Sequence, residues 1–148
     1  MIKRVDHIII RTPDPYQTSK EIEKAFGLVA PPVMDFGVFA SAMLTFGNVN
    51  IEVLRLGDKT DFEPYLYGVA FEAHKKSWAL LDDLKQRNIE HTLPIKQETQ
   101  MVSWTNTMLK GLLDNVMPSN YGIYSDNRFN RGLSSFFSKL MGLDFVVK

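Results

Sequence analysis

With three histidines and no cysteine, the chain's acid–base or metal chemistry falls to histidine, carboxylates and oxygen or amide donors. Disulfides, thiolate ligands and a Cys nucleophile are all excluded. His7 lies in the run Val5-Asp6-His7-Ile8-Ile9-Ile10-Arg11, whose β-branched residues predict a strand. A strand-borne histidine facing a polar cavity suits a metal ligand, a general base or a structural role alike. Glu52 is flanked by Ile51 and Val53 in a second strand-like run. It can pair with His7, act as a general base tuned by its cavity, or be a solvated carboxylate. Strand side chains alternate, so Arg11 shares a face with His7, and Glu72 with Gly68. Arg11 and Glu72 are expected either to meet across a cavity, with Arg11 alternatively binding a ligand carboxylate or phosphate, or to be exposed strand-end charges. Trp104, Asn106 and Met108 share a face and predict an apolar ligand wall with one polar contact, or plain core packing. Tyr67 and Tyr124 pose the same choice.

Other chemistry-bearing residues lack a context. His74 and His91 fall at strand or loop edges and read as surface residues, and Lys75-Lys76 as a solvated pair. Gly37, Gly47 and Gly57 are spaced turns, not a phosphate cradle. Ser134-Ser135 sits in no nucleophile elbow. Lys plus Arg and Asp plus Glu number 17 each, so no broad field favours nucleic acid or an anionic membrane. No run approaches the roughly 20 apolar residues of a membrane span, and the first residues lack a signal-peptide core. A cytoplasmic protein is the default expectation.

The elements that must position these residues follow a repeated plan. After the strand Val5–Arg11, Asp14 and Pro15 start a helix, with Tyr16, Ile22, Ala25 and Phe26 at helical spacing and Gly27 as terminator. Extended segments are predicted at Val33–Phe39, Ser41–Phe46 and Asn50–Leu56, with Gly47-Asn48 as a turn. Gly57 to Pro64 reads as a linker. A strand Tyr67–Ala73 and a helix Ser77–Arg87 carrying Trp78, Leu80, Leu81 and Leu84 then repeat the opening, about 61 positions on, with Asn88 where Gly27 stood. Further extended segments are expected at His91–Lys96, Met101–Leu109 and Tyr121–Ser125. A last helix is expected at Arg131–Leu140 and a strand at Leu143–Val147.

Val5-Asp6-His7-Ile8-Ile9-Ile10, the helix closing on Phe26-Gly27-Leu28, and Leu44-Thr45-Phe46-Gly47-Asn48-Val49-Asn50-Ile51-Glu52-Val53 together resemble the first module of vicinal-oxygen-chelate proteins. Gly68-Val69-Ala70-Phe71 before a Leu-rich helix resembles the start of the second. Trp104, Leu109-Lys110-Gly111-Leu112-Leu113 and Tyr121-Gly122-Ile123-Tyr124 resemble a glyoxalase-like branch. The likeness covers residues 4 to 126 and implies an α+β fold: two paired βαβββ modules forming a curved mixed sheet around a cavity, plus a C-terminal helix. The whole chain is then one domain, 1–148, with module one about 4–57, module two about 66–126 and an extension about 127–148.

The resemblance also implies a divalent metal that chelates vicinal oxygens and stabilises charge on them. His7 and Glu52 match two of its ligand positions, and both face one side if Ile8, Ile10, Ile51 and Val53 point to the helices. Gly68 stands where a second histidine belongs, and the last carboxylate position is expected near Tyr124 or Ser125, so the ligand set is incomplete. The first expectation is therefore a glyoxalase-like protein with a degenerate metal site that binds, and sequesters, a small organic molecule, in the manner of bleomycin-resistance proteins. The alternative is a lyase, isomerase or dioxygenase acting on a small oxygen-bearing metabolite, metal-dependent or working by acid–base catalysis alone. His7 and Glu52 are its candidate catalytic and metal-binding residues; Arg11, Glu72, Trp104, Met108 and Tyr124 are the candidate ligand contacts. Any cofactor is expected to be one divalent ion. The resemblance further implies a homodimer.

Overall fold

The computed structural model describes residues 2–74, 77–98, 102–111 and 120–129, and in the last stretch the backbone alone. The expected terminal helix Arg131–Leu140 and strand Leu143–Val147 lie outside the described residues.

The chain runs β1 (Ile2–Arg11), α1 (Pro15–Phe26), β2 (Met34–Asp35), β3 (Phe39–Phe46), β4 (Val49–Leu56), β5 (Tyr65–Ala73), α2 (Ser77–Gln86), β6 (Ile95–Glu98), β7 (Val102–Leu109) and β8 (Asn120–Phe129). The strands form one sheet in the order β2-β3-β4-β1-β5-β8-β7-β6. β1 pairs parallel with β4 and β5 parallel with β8, and β1 and β5 meet antiparallel at the centre. This is α+β architecture built from two βαβββ modules. Ile8 pairs directly with Val69, its counterpart in the repeat, so the pseudo-twofold axis passes between them.

Local chemistry sets the helix limits. Asp14 accepts from the Gln17 N–H at 3.0 Å, Pro15 fills the first position, and Gly27 closes α1 at φ 67°. Asn88 takes the equivalent left-handed turn at φ 55°. The expected strand Val33–Phe39 is shorter: only Met34–Asp35 pairs, and β3 begins at Phe39. Gly37, at φ 81°, turns the chain between them.

Both helices cover the same face. Ile8 and Ile10 point to α1. Val69, Phe71 and Ala73 pack with Leu80, Leu81 and Leu84 of α2. Leu44, Val53, Leu80 and Leu84 are at most 1% exposed, each worth roughly 1.5–3 kcal/mol of burial. The helical spacing overstates what α1 buries. Tyr16 and Phe26 are exposed, and Pro15, Thr18 and Ser19 are its buried residues. Trp78 likewise lies outside the leucine face of α2.

Candidate functional site

The face opposite the helices carries the ionisable residues. His7 and Ile9 project there from β1, Glu52 and Leu54 from β4, and Ser41 from β3. His7 is 5% exposed. Its Nε2 lies 3.3 Å from Glu52 Oε2, and its Nδ1 lies 2.8 Å from Asp6 Oδ2. Ser41 Oγ donates to the other oxygen of Glu52 at 2.7 Å. Asn50 Nδ2 donates to the Asp6 carbonyl at 3.2 Å.

Asp6 and Ser41 are the members that the sequence did not single out. Strict alternation would send Asp6 to the helix side. The β1–β5 register slips between Val5 and His7, making Asp6 the extra residue of a bulge. A bulge re-aims a side chain, and Asp6 reaches the His7 ring.

Burial disfavours a charged His7. The hydrogen bonds to Asp6 and Glu52 and their negative charges outweigh it, raising the His7 pKa from 6.5 to about 9. The hydrogen bond from His7 lowers that of Asp6 against an opposing burial, aided by the His7, Arg4 and Lys3 charges. The neighbouring Asp6 and Glu52 thus favour the protonated form of His7.

The register locates the matching positions of the second module. Ile9 pairs with Glu52, and Ala70, the counterpart of Ile9, pairs with Gly122. The fourth-strand carboxylate position is thus Gly122, not Tyr124 or Ser125. The link between β7 and β8 spans 110–119, where Gly47-Asn48 suffices between β3 and β4, so the offset between modules grows after β7. Both second-module ligand positions, Gly68 and Gly122, are glycine. Two donors converge at His7 and Glu52, whereas a catalytic site of this kind has three protein ligands. No group of three or more His, Cys, Asp or Glu that could hold an ion occurs among the described residues. This donor set does not fit a protein-held catalytic metal.

The other candidate residues are spread over the sheet. Arg11 and Glu72 do not meet. Equivalent positions on antiparallel β1 and β5 fall at opposite ends: Arg11 pairs with Tyr65, and Glu72 with Arg4. Glu72 is taken up by Lys3 Nζ at 2.7 Å and Arg4 Nε at 2.6 Å, which lower its pKa. Trp104 and Met108 are half-buried on β7. Asn106, between them, has a buried Oδ1 without a hydrogen-bond partner among the described residues. Tyr124 lies on β8 in register with Glu72 and Asn106. His74 is exposed, and His91 Nδ1 lies 2.7 Å from the Ile89 carbonyl. A groove of about 440 Å³ between β1 and α1, lined by Ile8, Ile10, Ile22 and Phe26, is on the other face and touches neither His7 nor Glu52.

Solved structures share this architecture. Methylmalonyl-CoA epimerase from Mycobacterium tuberculosis superposes with a TM-score of 0.64 at 9% identity, over 83% of this chain and 87% of that one. The chain has the vicinal-oxygen-chelate fold. A Streptomyces coelicolor methylmalonyl-CoA epimerase in complex with 2-nitronate-propionyl-CoA gives 0.64 at 15% identity, over 84% and 94%. A hypothetical protein from Bacillus halodurans C-125 gives 0.62 at 14%, over 82% and 92%. No family model and no curated protein matches the sequence. No helix among the described residues is long and apolar enough to cross a membrane.

Proposed function

We propose that the protein is an acid–base enzyme of the isomerase or lyase class. It moves a proton on the carbon beside a carbonyl of a small oxygen-bearing molecule. The observation that carries this is the buried His7 held between Asp6 and Glu52, with its pKa raised to about 9. Glu52 takes the proton from carbon. His7, in the protonated form that Asp6 and Glu52 favour, donates its Nε2 proton in a hydrogen bond to the carbonyl oxygen as negative charge grows there. Asp6 fixes the ring through Nδ1, and Ser41 holds the second oxygen of Glu52. Glu52 then returns the proton to the same carbon of the planar enolate, and return to the opposite face, after the enolate turns in the site, inverts that carbon.

Solved structures of the same fold that are named epimerases, including one bound to methylmalonyl-CoA, support an isomerase over a purely sequestering protein. The sequestering reading draws its support from Gly68 and Gly122, which leave the second module without donors. Both readings put a small organic molecule against the helix-free face, with Trp104 and Met108 as further wall residues.

A thermal-shift screen of carbonyl compounds and CoA thioesters, followed by NMR of each hit in D2O, tests the reading. Wild-type protein is expected to speed deuterium entry beside the carbonyl. Glu52→Gln is expected to slow it by about 10²–10⁴-fold, the usual contribution of a positioned base. Hits that bind tightly yet exchange no faster than in buffer would leave the sequestering reading standing and defeat this one.

A further inference from the structure

Of the two charges that the repeat makes equivalent, Glu72 has two cationic partners among the described residues and Arg11 has no anionic one there. No carboxylate lies within salt-bridge distance of Arg11 among the described residues, and its Nε is buried with no hydrogen-bond partner. The guanidinium is nonetheless held in place. Nη1 donates to Tyr65 Oη at 3.3 Å and Nη2 to the Leu56 carbonyl at 3.5 Å. Its central carbon stands 5.4 Å from the Phe62 ring centroid and 5.6 Å from that of Tyr67. Rings stabilise a cation without neutralising it, and both hydrogen bonds are long. Each Nη nitrogen keeps a second N–H, and a positioned guanidinium with no carboxylate partner among the described residues suits a carboxylate or phosphate, which it can grip through two parallel N–H groups.

We propose that Arg11 is the anchor for an anionic group of the ligand. The assignment rests on the reading of the His7–Glu52 centre as the reacting site and sets the ligand's shape. Arg11 lies four residues from His7 on the same strand face, about 13 Å along β1. Ile9 lies buried between them, with Leu54 beside Arg11 and Ala70 beside His7, and Phe39, Leu56 and Tyr67 pack against this cluster. The ligand class is thus an elongated molecule: a carbonyl end at His7 and Glu52, an apolar middle along Phe39, Leu56 and Tyr67, and a carboxylate or phosphate on Arg11.

Inorganic phosphate and acetate, titrated separately into ¹⁵N-labelled full-length protein at constant ionic strength, test the anchor. Phosphate has no carbon, so its binding reports on Arg11 whether or not the protein catalyses anything. The backbone amides of Tyr65 and Tyr67 are expected to move saturably with at least one anion, and the stronger of the two identifies the natural group. Arg11→Lys keeps the charge without the fork and is expected to bind about tenfold more weakly. Arg11→Met is expected to abolish the response. The wild-type Arg11 Nε–H resonance gives the same readout should Arg11→Met fail to fold. No saturable movement with either anion, or a response of equal strength in folded Arg11→Met, would overturn the assignment. Failure of deuterium exchange with this response intact would remove the enzyme reading and leave the anchor.

Discussion

Replacing His7 with glutamine should change the pH dependence of stability in a defined window. The folded-state pKa of His7 is about 9, against 6.5 for an unperturbed histidine. A group whose pKa is raised on folding stabilises the protein fully below its unfolded pKa and loses that contribution as pH rises through the folded one. The difference amounts to about 3 kcal/mol at 1.36 kcal/mol per pKa unit. Its origin is specific: Asp6 on Nδ1 and Glu52 on Nε2 outweigh the burial of a ring that is 5% exposed. Glutamine keeps a polar end and cannot be protonated in this range. Urea unfolding of both proteins at pH 6, 8 and 10 isolates the contribution. The stability gap should shrink by about 3 kcal/mol between pH 6 and pH 10, falling steadily from about pH 6.5 to pH 9 with roughly half of the loss complete by pH 8. Other groups that titrate there cancel, because they are common to the two proteins. A gap that stays constant across the range, or closes near pH 6.5, would refute the placement of His7 between two carboxylates.

Leu84→Ala, at a fully buried position between α2 and the sheet, should cost about 2–5 kcal/mol in urea unfolding, with the second module's amides losing exchange protection first. The register makes a constructive prediction about the missing donors. Gly68→His combined with Gly122→Glu should create a divalent-ion site with His7 and Glu52, read by calorimetric titration with Mn²⁺ or Zn²⁺. Failure of the folded double variant to gain affinity over wild type would place Gly122 off the Glu52-equivalent position. The new site should also weaken as pH falls, because His7 binds metal only when deprotonated.

Much of the fold was legible because two strong local signals recur. Alternation placed Ile8, Ile10 and Val53 on one face and His7 with Glu52 on the other. The Asp14-Pro15 start and the Gly27 and Asn88 ends marked the helices. The shift that aligned Ile8 with Val69 predicted the axis of the sheet. What stayed hidden depends on contacts between distant segments. Asp6 reaches His7 through a bulge set by pairing with β5, a strand some sixty residues away. Ser41 meets Glu52 only because β3 and β4 pair in their particular register. The misplacement of the last carboxylate position by two or three residues has the same origin: a longer link between β7 and β8 changed the offset, and periodicity inside a strand carries no trace of it. The expected approach of Arg11 to Glu72 ignored a simple consequence of the twofold, that equivalent ends of antiparallel central strands point apart. Phe62, which stacks on Arg11, sits in the segment read as a linker, where no periodicity marks a side chain as structural.

Deuterium exchange beside the carbonyl of a bound ligand, measured by NMR with a chelator present throughout, tests the central claim most directly. The account predicts exchange by the wild-type protein that survives the chelator and is lost in both His7→Gln and Glu52→Gln. Exchange abolished by the chelator and restored by a divalent cation, or exchange undiminished in both variants, would contradict it.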